Sequence, residues 1–213
     1  MTPRLRISLV LFCLAVLAVL AAQVVWHGPM LELDQEVSNW FAAHRHGGVT
    51  LAMLLVSDLH QTAKVLAATV LVALGFGLGG ELAAARTALV VPAGMLLNAG
   101  LKHVFGRARP LHEEPLVQIA TYSFPSGHAV ASTVFYGMLC VLVFAYVRSR
   151  WLRAAAVAVA VSMVLLVCFS RVYLGAHFPS DVIAGVAVGT LCLVLFLRIA
   201  GRPLPAAPAL PVP

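Results

Sequence analysis

The stretch Phe169-Ser170-Arg171-Val172-Tyr173-Leu174-Gly175-Ala176-His177-Phe178-Pro179-Ser180-Asp181 lies between two long apolar runs, which places it at a membrane surface. It sets a cation, an imidazole and a carboxylate within a few residues of one another. A basic or nucleophilic His needs a carboxylate to fix its tautomer and stabilise its cationic form. An Arg beside them presents a planar fork of donors suited to an oxyanion such as phosphate. Taken alone, the stretch also reads as a basic turn between two helices with a capping Asp. The rest of the chain decides between the two.

The 213 residues are 62% hydrophobic and 10% charged. Soluble domains carry roughly 25% charged residues, so an integral membrane protein is expected. The net charge is +6, but the 14 basic residues are scattered over short segments. Neither a basic tract nor an aromatic-interleaved patch is present, which argues against nucleic acid as a partner. Cys13, Cys140, Cys168 and Cys192 all fall inside apolar runs. They read as small buried hydrophobes rather than a disulfide framework or a metal site.

Hydropathy divides the chain into an all-α, polytopic arrangement of six transmembrane helices. The first is Ile7 to Trp26, preferred over a signal peptide because its apolar run is long for one. Leu33, Val37, Trp40 and Phe41 recur at helical spacing among Glu32, Asp34, Glu36 and Asn39. They predict an amphipathic helix on the membrane surface between the first and second spans. Val49 to Val56 reads as a second interfacial piece, interrupted by Ser57 to Gln61. The remaining spans are expected at 62–80, 83–101 with a kink at Pro92, 129–147, 152–168 and 182–199. Lys102 to Phe124 reads as a polar loop of about 20 residues, long enough to suspect function. Residues 1–200 are expected to form one membrane domain, and 201–213 a disordered Pro-rich tail.

Three polar clusters border the last four spans: Lys102 to Pro110, Phe124 to His128, and the stretch quoted first. Helices alternate direction across a bilayer. The end of the third, the start of the fourth, the end of the fifth and the start of the sixth must share one face. Lys102, Arg109, His128, Arg171, His177 and Asp181 are thereby brought to one side. Ser126 and Gly127 open the fourth helix, where unpaired amides favour an anion. Such a set suits a phosphate ester. One His can attack phosphorus and form a phosphohistidine while the other protonates the leaving oxygen and later activates water. Asp181, one turn after His177, can hold its ring nitrogen, and Pro179 suits the first helical position. A zinc site using His103, His112, His128 and His177 is disfavoured by spacing and by the surrounding cations. Magnesium is disfavoured by the single carboxylate among the clusters' core residues. Arg107 reads equally as a substrate contact or a solvent-facing residue. Asn98 reads as an interhelical hydrogen bond, Tyr122 and Tyr173 as interfacial or packing aromatics, and Glu113, Glu114 and His112 as loop residues.

These clusters resemble the signature of the type-2 phosphatidic acid phosphatase family, related to vanadium haloperoxidases and bacterial acid phosphatases. The resemblance is carried by Lys102 with Arg109-Pro110, by Pro125-Ser126-Gly127-His128, and by Ser170-Arg171 with His177 and Asp181. It covers about Thr62 to Ile199. It implies His177 as nucleophile, Asp181 as its orienting group and His128 as general acid. Lys102, Arg109 and Arg171 would clamp the phosphate, with Ser126 and Gly127 adding hydrogen bonds, and no cofactor or metal would be required.

The expected activity is hydrolysis of a phosphomonoester or pyrophosphate on a membrane lipid. The candidates are undecaprenyl pyrophosphate, ranked slightly ahead on family grounds, phosphatidylglycerol phosphate, phosphatidic acid and a lipid A phosphate. Phosphate transfer to a lipid, or lipid-phosphate binding without turnover, are the rivals. The expected surroundings are a bacterial inner membrane with cytoplasmic termini and the site on the periplasmic face. Eight basic residues against six favour that orientation. The bilayer and the lipid substrate are the expected partners, with no obligate protein partner evident.

Overall fold

A computed structural model describes residues 2–111, 116–117 and 119–199. Those residues form helices and connections without a strand: α1 (Pro3–Val25), α2 (Met30–Ala43), α3 (Gly47–Leu59), α4 (Thr62–Leu78), α5 (Leu82–Thr87), α6 (Val90–Phe105), α7 (Gly127–Tyr146), α8 (Arg150–Tyr173) and α9 (Pro179–Ile199). The expected tail at 201–213 and the loop residues His112, Glu113 and Glu114 lie outside the described residues.

The centre of the bundle is α7, which packs against α6, α8 and α9. Its Ala129, Val130, Ala131, Val134 and Met138 are almost wholly buried. Small residues let α9 approach closely. A Cβ on Gly185 would stand 2.7 Å from the Ser126 carbonyl oxygen, and one on Gly189 would stand 2.7 Å from Thr133 Cβ. Close backbone approach of this kind supports helix association inside a bilayer, where the hydrophobic effect contributes little between helices. Val90, Val91, Ala131, Val134 and Met138 form one apolar cluster, and Leu20, Val24, Phe124 and Ala184 form a second that ties α1 to the bundle.

Four of the described helices are long and apolar enough to cross a membrane: α1, α7, α8 and the 179–196 part of α9. A fifth is added if α3 and α4, bent by 51° at their junction, count as one span, and α6 is a shorter apolar helix. This differs in detail from the expected six spans. The interfacial piece at 49–56 extends as α3 to Leu59, so Ser57 is helical. The single third span divides into α5 and α6, and Pro92 falls in the first turn of α6, where its missing N–H leaves no intrahelical bond unmade. Helix α6 continues to Phe105 and carries Lys102 in its last turn, where a cation is favoured. Gly106, at φ 56°, then reverses the chain and donates its N–H to the Lys102 carbonyl at 3.0 Å.

The amphipathic helix forms as α2, but its faces are not those expected. Val37 and Phe41 pack on Cys168, Val172 and Val182. Leu33 and Trp40 are exposed instead, while the polar Asp34 and Ser38 are buried. A buried charge requires a partner, and Asp34 has one.

Candidate functional site

The connection from α8 to α9 is built by backbone capping. Gly175, at φ 69°, turns the chain, and the N–H groups of Ala176 and His177 donate to the Arg171 carbonyl at 3.0 and 3.2 Å. Pro179 opens α9, as expected, and Asp181 is its third residue. There the Asp181 carboxylate accepts the Phe178 N–H at 2.9 Å, in the manner of a capping box, and benefits from the helix dipole.

His177 and Asp181 are both buried, and Nδ1 of His177 lies 3.4 Å from Oδ2 of Asp181. Ser123 donates its hydroxyl to the same Oδ2 at 2.5 Å. With Nδ1–H directed at the carboxylate, Nε2 carries the lone pair. Arg109 Nη1 stands 3.2 Å from it. Burial, above all, pushes the His177 imidazole down to about 3. Asp181 opposes that shift, while Arg109 and Arg171 add to it. His177 is therefore a neutral imidazole over the ordinary working range.

Two of the three cations are held chiefly by backbone carbonyls. Lys102 Nζ donates to the carbonyls of Tyr122 and Ser123. Arg109 donates to the carbonyl oxygens of Thr121, Ala176 and Tyr122 at 2.6, 2.5 and 3.1 Å. Arg171 is 1% exposed and bonds Ser57 Oγ through Nη1, while its Nε and Nη2 are buried without a protein partner. Ser126 is the N-cap of α7, yet its hydroxyl caps no amide and is likewise buried without a partner. Its N–H donates to the Asp181 carbonyl at 2.9 Å, tying α7 to α9. A Cβ on Gly127 would meet Asn98 Nδ2 at 3.2 Å and Lys102 Cε at 3.9 Å. Buried donors without acceptors are costly in a folded protein, and here they belong to residues gathered around one imidazole. His128 directs Nε2 at the Ser57 carbonyl at 3.3 Å. Because a carbonyl only accepts, this nitrogen carries a proton, and Nδ1 is left for exchange with another group.

All eight residues singled out from the sequence thus converge. Five others join the cluster, four of them with no site role expected from the sequence. Ser57 contacts both Arg171 and His128. Ser123 and Ser180 hold the Asp181 region. Asp34 and Arg107 form a buried ion pair at 2.8 Å. Arg107 is therefore turned inward rather than facing solvent. Among the described residues, no three His, Cys, Asp or Glu side chains are grouped so as to hold a metal ion.

Fold and site together define a helical membrane protein with a buried, histidine-centred cluster of cations. Residues 82–204 match the family model of the PAP2 superfamily, and the chain belongs to that superfamily. It is 34% identical over 114 residues to phosphatidylglycerophosphatase B of Bacillus subtilis (strain 168), covering 53% of this chain and 54% of that protein. It is 36% identical over 122 residues to lipid A 1-phosphatase of Rhizobium johnstonii, covering 51% and 46%. The chain thus spans about half the length of these curated relatives. A crystal structure of a transmembrane PAP2-type phosphatidylglycerolphosphate phosphatase from Bacillus subtilis superposes with TM-score 0.76 at 28% identity, covering 91% of this chain and 94% of that one. The fold is shared as well with Aquifex aeolicus LpxE, at TM-score 0.59 and 22% identity, over 79% and 94%. These likenesses and the apolar helices make the chain a multi-pass membrane protein.

Proposed function

We propose that this protein hydrolyses a phosphomonoester or pyrophosphate on a membrane lipid through a phosphohistidine at His177. The observation that carries the reading is the disposition of the His177 ring: Nδ1 against Asp181, Nε2 toward Arg109, with the unpartnered donors of Arg171 in the same cluster. Nε2 would attack phosphorus and the P–O bond to the lipid would break. His128, taken up as an imidazolium beside the bound phosphate's negative charge with its Nε2–H kept on the Ser57 carbonyl, would deliver the Nδ1 proton to the departing oxygen. His128, now neutral, would then take a proton from water as that water attacks the phosphohistidine, releasing phosphate and restoring both rings. Lys102, Arg109 and Arg171, with Ser126 and the α7 N-terminus, would balance the charge on the phosphoryl oxygens, the work a metal ion does elsewhere.

Names borne by relatives support phosphatidylglycerol phosphate and lipid A phosphates as substrate classes. Undecaprenyl pyrophosphate and phosphatidic acid stay in the same chemical class. In our reading α1, α4, α6, α7, α8 and α9 make six crossings of a bacterial inner membrane. α2 lies at the surface, the termini are cytoplasmic and the site faces the periplasm.

The test is phosphate release by purified protein in detergent with EDTA, over a panel of these four lipids, alongside His177→Ala. Release that survives EDTA and falls at least about a thousandfold in the variant is the expected result. No release from any lipid by folded protein would move the reading to phosphate transfer or binding.

A further inference from the structure

We propose that Asp34 and Arg107 are positioning residues for this reaction. A buried carboxylate–guanidinium–carboxylate chain, running from α2 to the N-terminus of α9, gives Asp181 the orientation and charge that His177 requires. The inference rests on the phosphohistidine reading above. Arg107 Nη1 donates to Asp181 Oδ1 at 2.7 Å and to Ser180 Oγ at 2.7 Å, and Nη2 donates to Asp34 Oδ2 at 2.8 Å. Its guanidinium lies 4.2 Å from the centre of the Phe178 ring. Asp34 in turn accepts the Ser180 N–H at 3.0 Å and the Ser180 hydroxyl. The side chains of Asp34, Arg107 and Asp181 are 3%, 7% and 0% exposed, so the chain is shielded from solvent and weakly screened.

The two Asp181 oxygens are used differently. Oδ1 belongs to Arg107, whereas Oδ2 collects Ser123, the Phe178 N–H and His177 Nδ1. Arg107 therefore fixes the rotation of the carboxylate while leaving one oxygen to the imidazole. The electrostatics give Asp34 its purpose. Were Arg107 paired with Asp181 alone, it would cancel the charge that stabilises a phosphorylated, cationic ring. Shared with Asp34, it leaves one net negative charge over the three groups. Adhesion of α2 does not need this arrangement, because Val37 and Phe41 already seat the helix by apolar contact. A buried ion pair is in any case poor evidence for stability.

The charge account predicts a result that simple packing does not. Asp34→Asn removes the net negative charge. Arg107→Gln leaves two buried carboxylates without their shared cation. The double variant restores a single negative charge on Asp181, with two amides still able to bridge. We would measure kcat and KM for phosphate release in detergent for the wild type, both single variants and the double. Each single variant is expected to lower kcat about tenfold to a hundredfold, as outer-shell partners do elsewhere, with KM within about twofold. The double variant is expected to exceed Arg107→Gln in kcat by at least about fivefold. A double variant no faster than Arg107→Gln would overturn the proposal, as would single variants with wild-type kcat. Should Arg107→Gln not fold, Arg107→Lys keeps the charge but cannot bridge both carboxylates, and it must still lose kcat. 15N NMR of the His177 ring separates the two layers of inference. A wild-type ring protonated at Nδ1 only, with that pattern lost in Asp34→Asn, would uphold the chain even if no lipid were hydrolysed. Retention of the pattern in Asp34→Asn would overturn the chain even if hydrolysis were robust.

Discussion

Arg109 Nη1 stands 3.2 Å from Nε2 of His177, so the guanidinium faces the lone pair that would meet phosphorus. The same side chain reaches the carbonyls of Thr121, Ala176 and Tyr122. A planar fork makes these contacts together, whereas an ammonium cannot. Arg109→Lys is therefore expected to lower kcat/KM by about a hundredfold, comparable to the loss of an oxyanion donor, with the protein still folded. Steady-state kinetics on a short-chain lipid phosphate, together with a thermal melt, would check this. A loss below about threefold would mean that charge alone suffices there.

The buried His177 sets a pH dependence whose sign follows from its neutral form. Its folded value is about 3, below the ordinary histidine value of 6.5. Between those limits the unfolded chain binds a proton that the folded chain refuses. Stability is therefore expected to fall as pH drops from about 6.5 toward 3, and to be unaffected by this group above about 7.5. Melting temperatures in detergent at pH 7.5, 6.0 and 4.5 would show the slope. His177→Asn, which cannot titrate, should lessen the slope without abolishing it, and an equal slope in that variant would assign the effect wholly to other groups.

The eight site residues were legible because they occupy three short motifs at helix ends, and the alternation of spans fixes which ends share a face. Their convergence needs no knowledge of distant partners. Asp34 and Ser57 were not legible for the opposite reason. Asp34 lies at a polar position of an amphipathic helix, and nothing near it reveals that its partner is 73 positions away. Ser57 looks like the end of an apolar run, yet it touches Arg171, 114 positions away. The limit of α6 was misplaced because capping at Gly106, rather than hydropathy, sets it.

Ser57 makes two different bonds, and they can be separated. Its hydroxyl accepts from Arg171 Nη1, whereas its backbone carbonyl accepts from His128 Nε2. Ser57→Ala removes only the first. Arg171 would then have three buried nitrogens without a protein acceptor instead of two. The expected loss is about tenfold in kcat/KM, near the worth of a hydrogen bond to a charged group, about 1.5 kcal/mol. It should fall mainly in KM for phosphate-bearing substrates. Kinetics on wild type and variant would resolve this, and an effect confined to kcat would place the role of Ser57 with His128 instead.

The approach of α9 to α7 makes Gly185 the most demanding position near the site. An added Cβ would lie 2.7 Å from the Ser126 carbonyl oxygen and 2.7 Å from Ala129 Cβ, closer than side chains tolerate. Neither atom is the end of a flexible side chain, so the helices must part. Parting them would stretch the 2.9 Å bond from the Ser126 N–H to the Asp181 carbonyl, which sets the α7 N-terminus against His177. Gly185→Ala is therefore expected to cost about 1–3 kcal/mol of stability and to reduce phosphate release beyond what the remaining folded fraction explains. Gly75 in α4 is the control, since a Cβ there meets nothing within 4 Å. Gly75→Ala should be neutral or stabilising, by up to about 1 kcal/mol from helix propensity. Thermal melts and specific activities of the two variants would decide the matter, and equal behaviour would show that the contact between α7 and α9 is softer than its geometry requires.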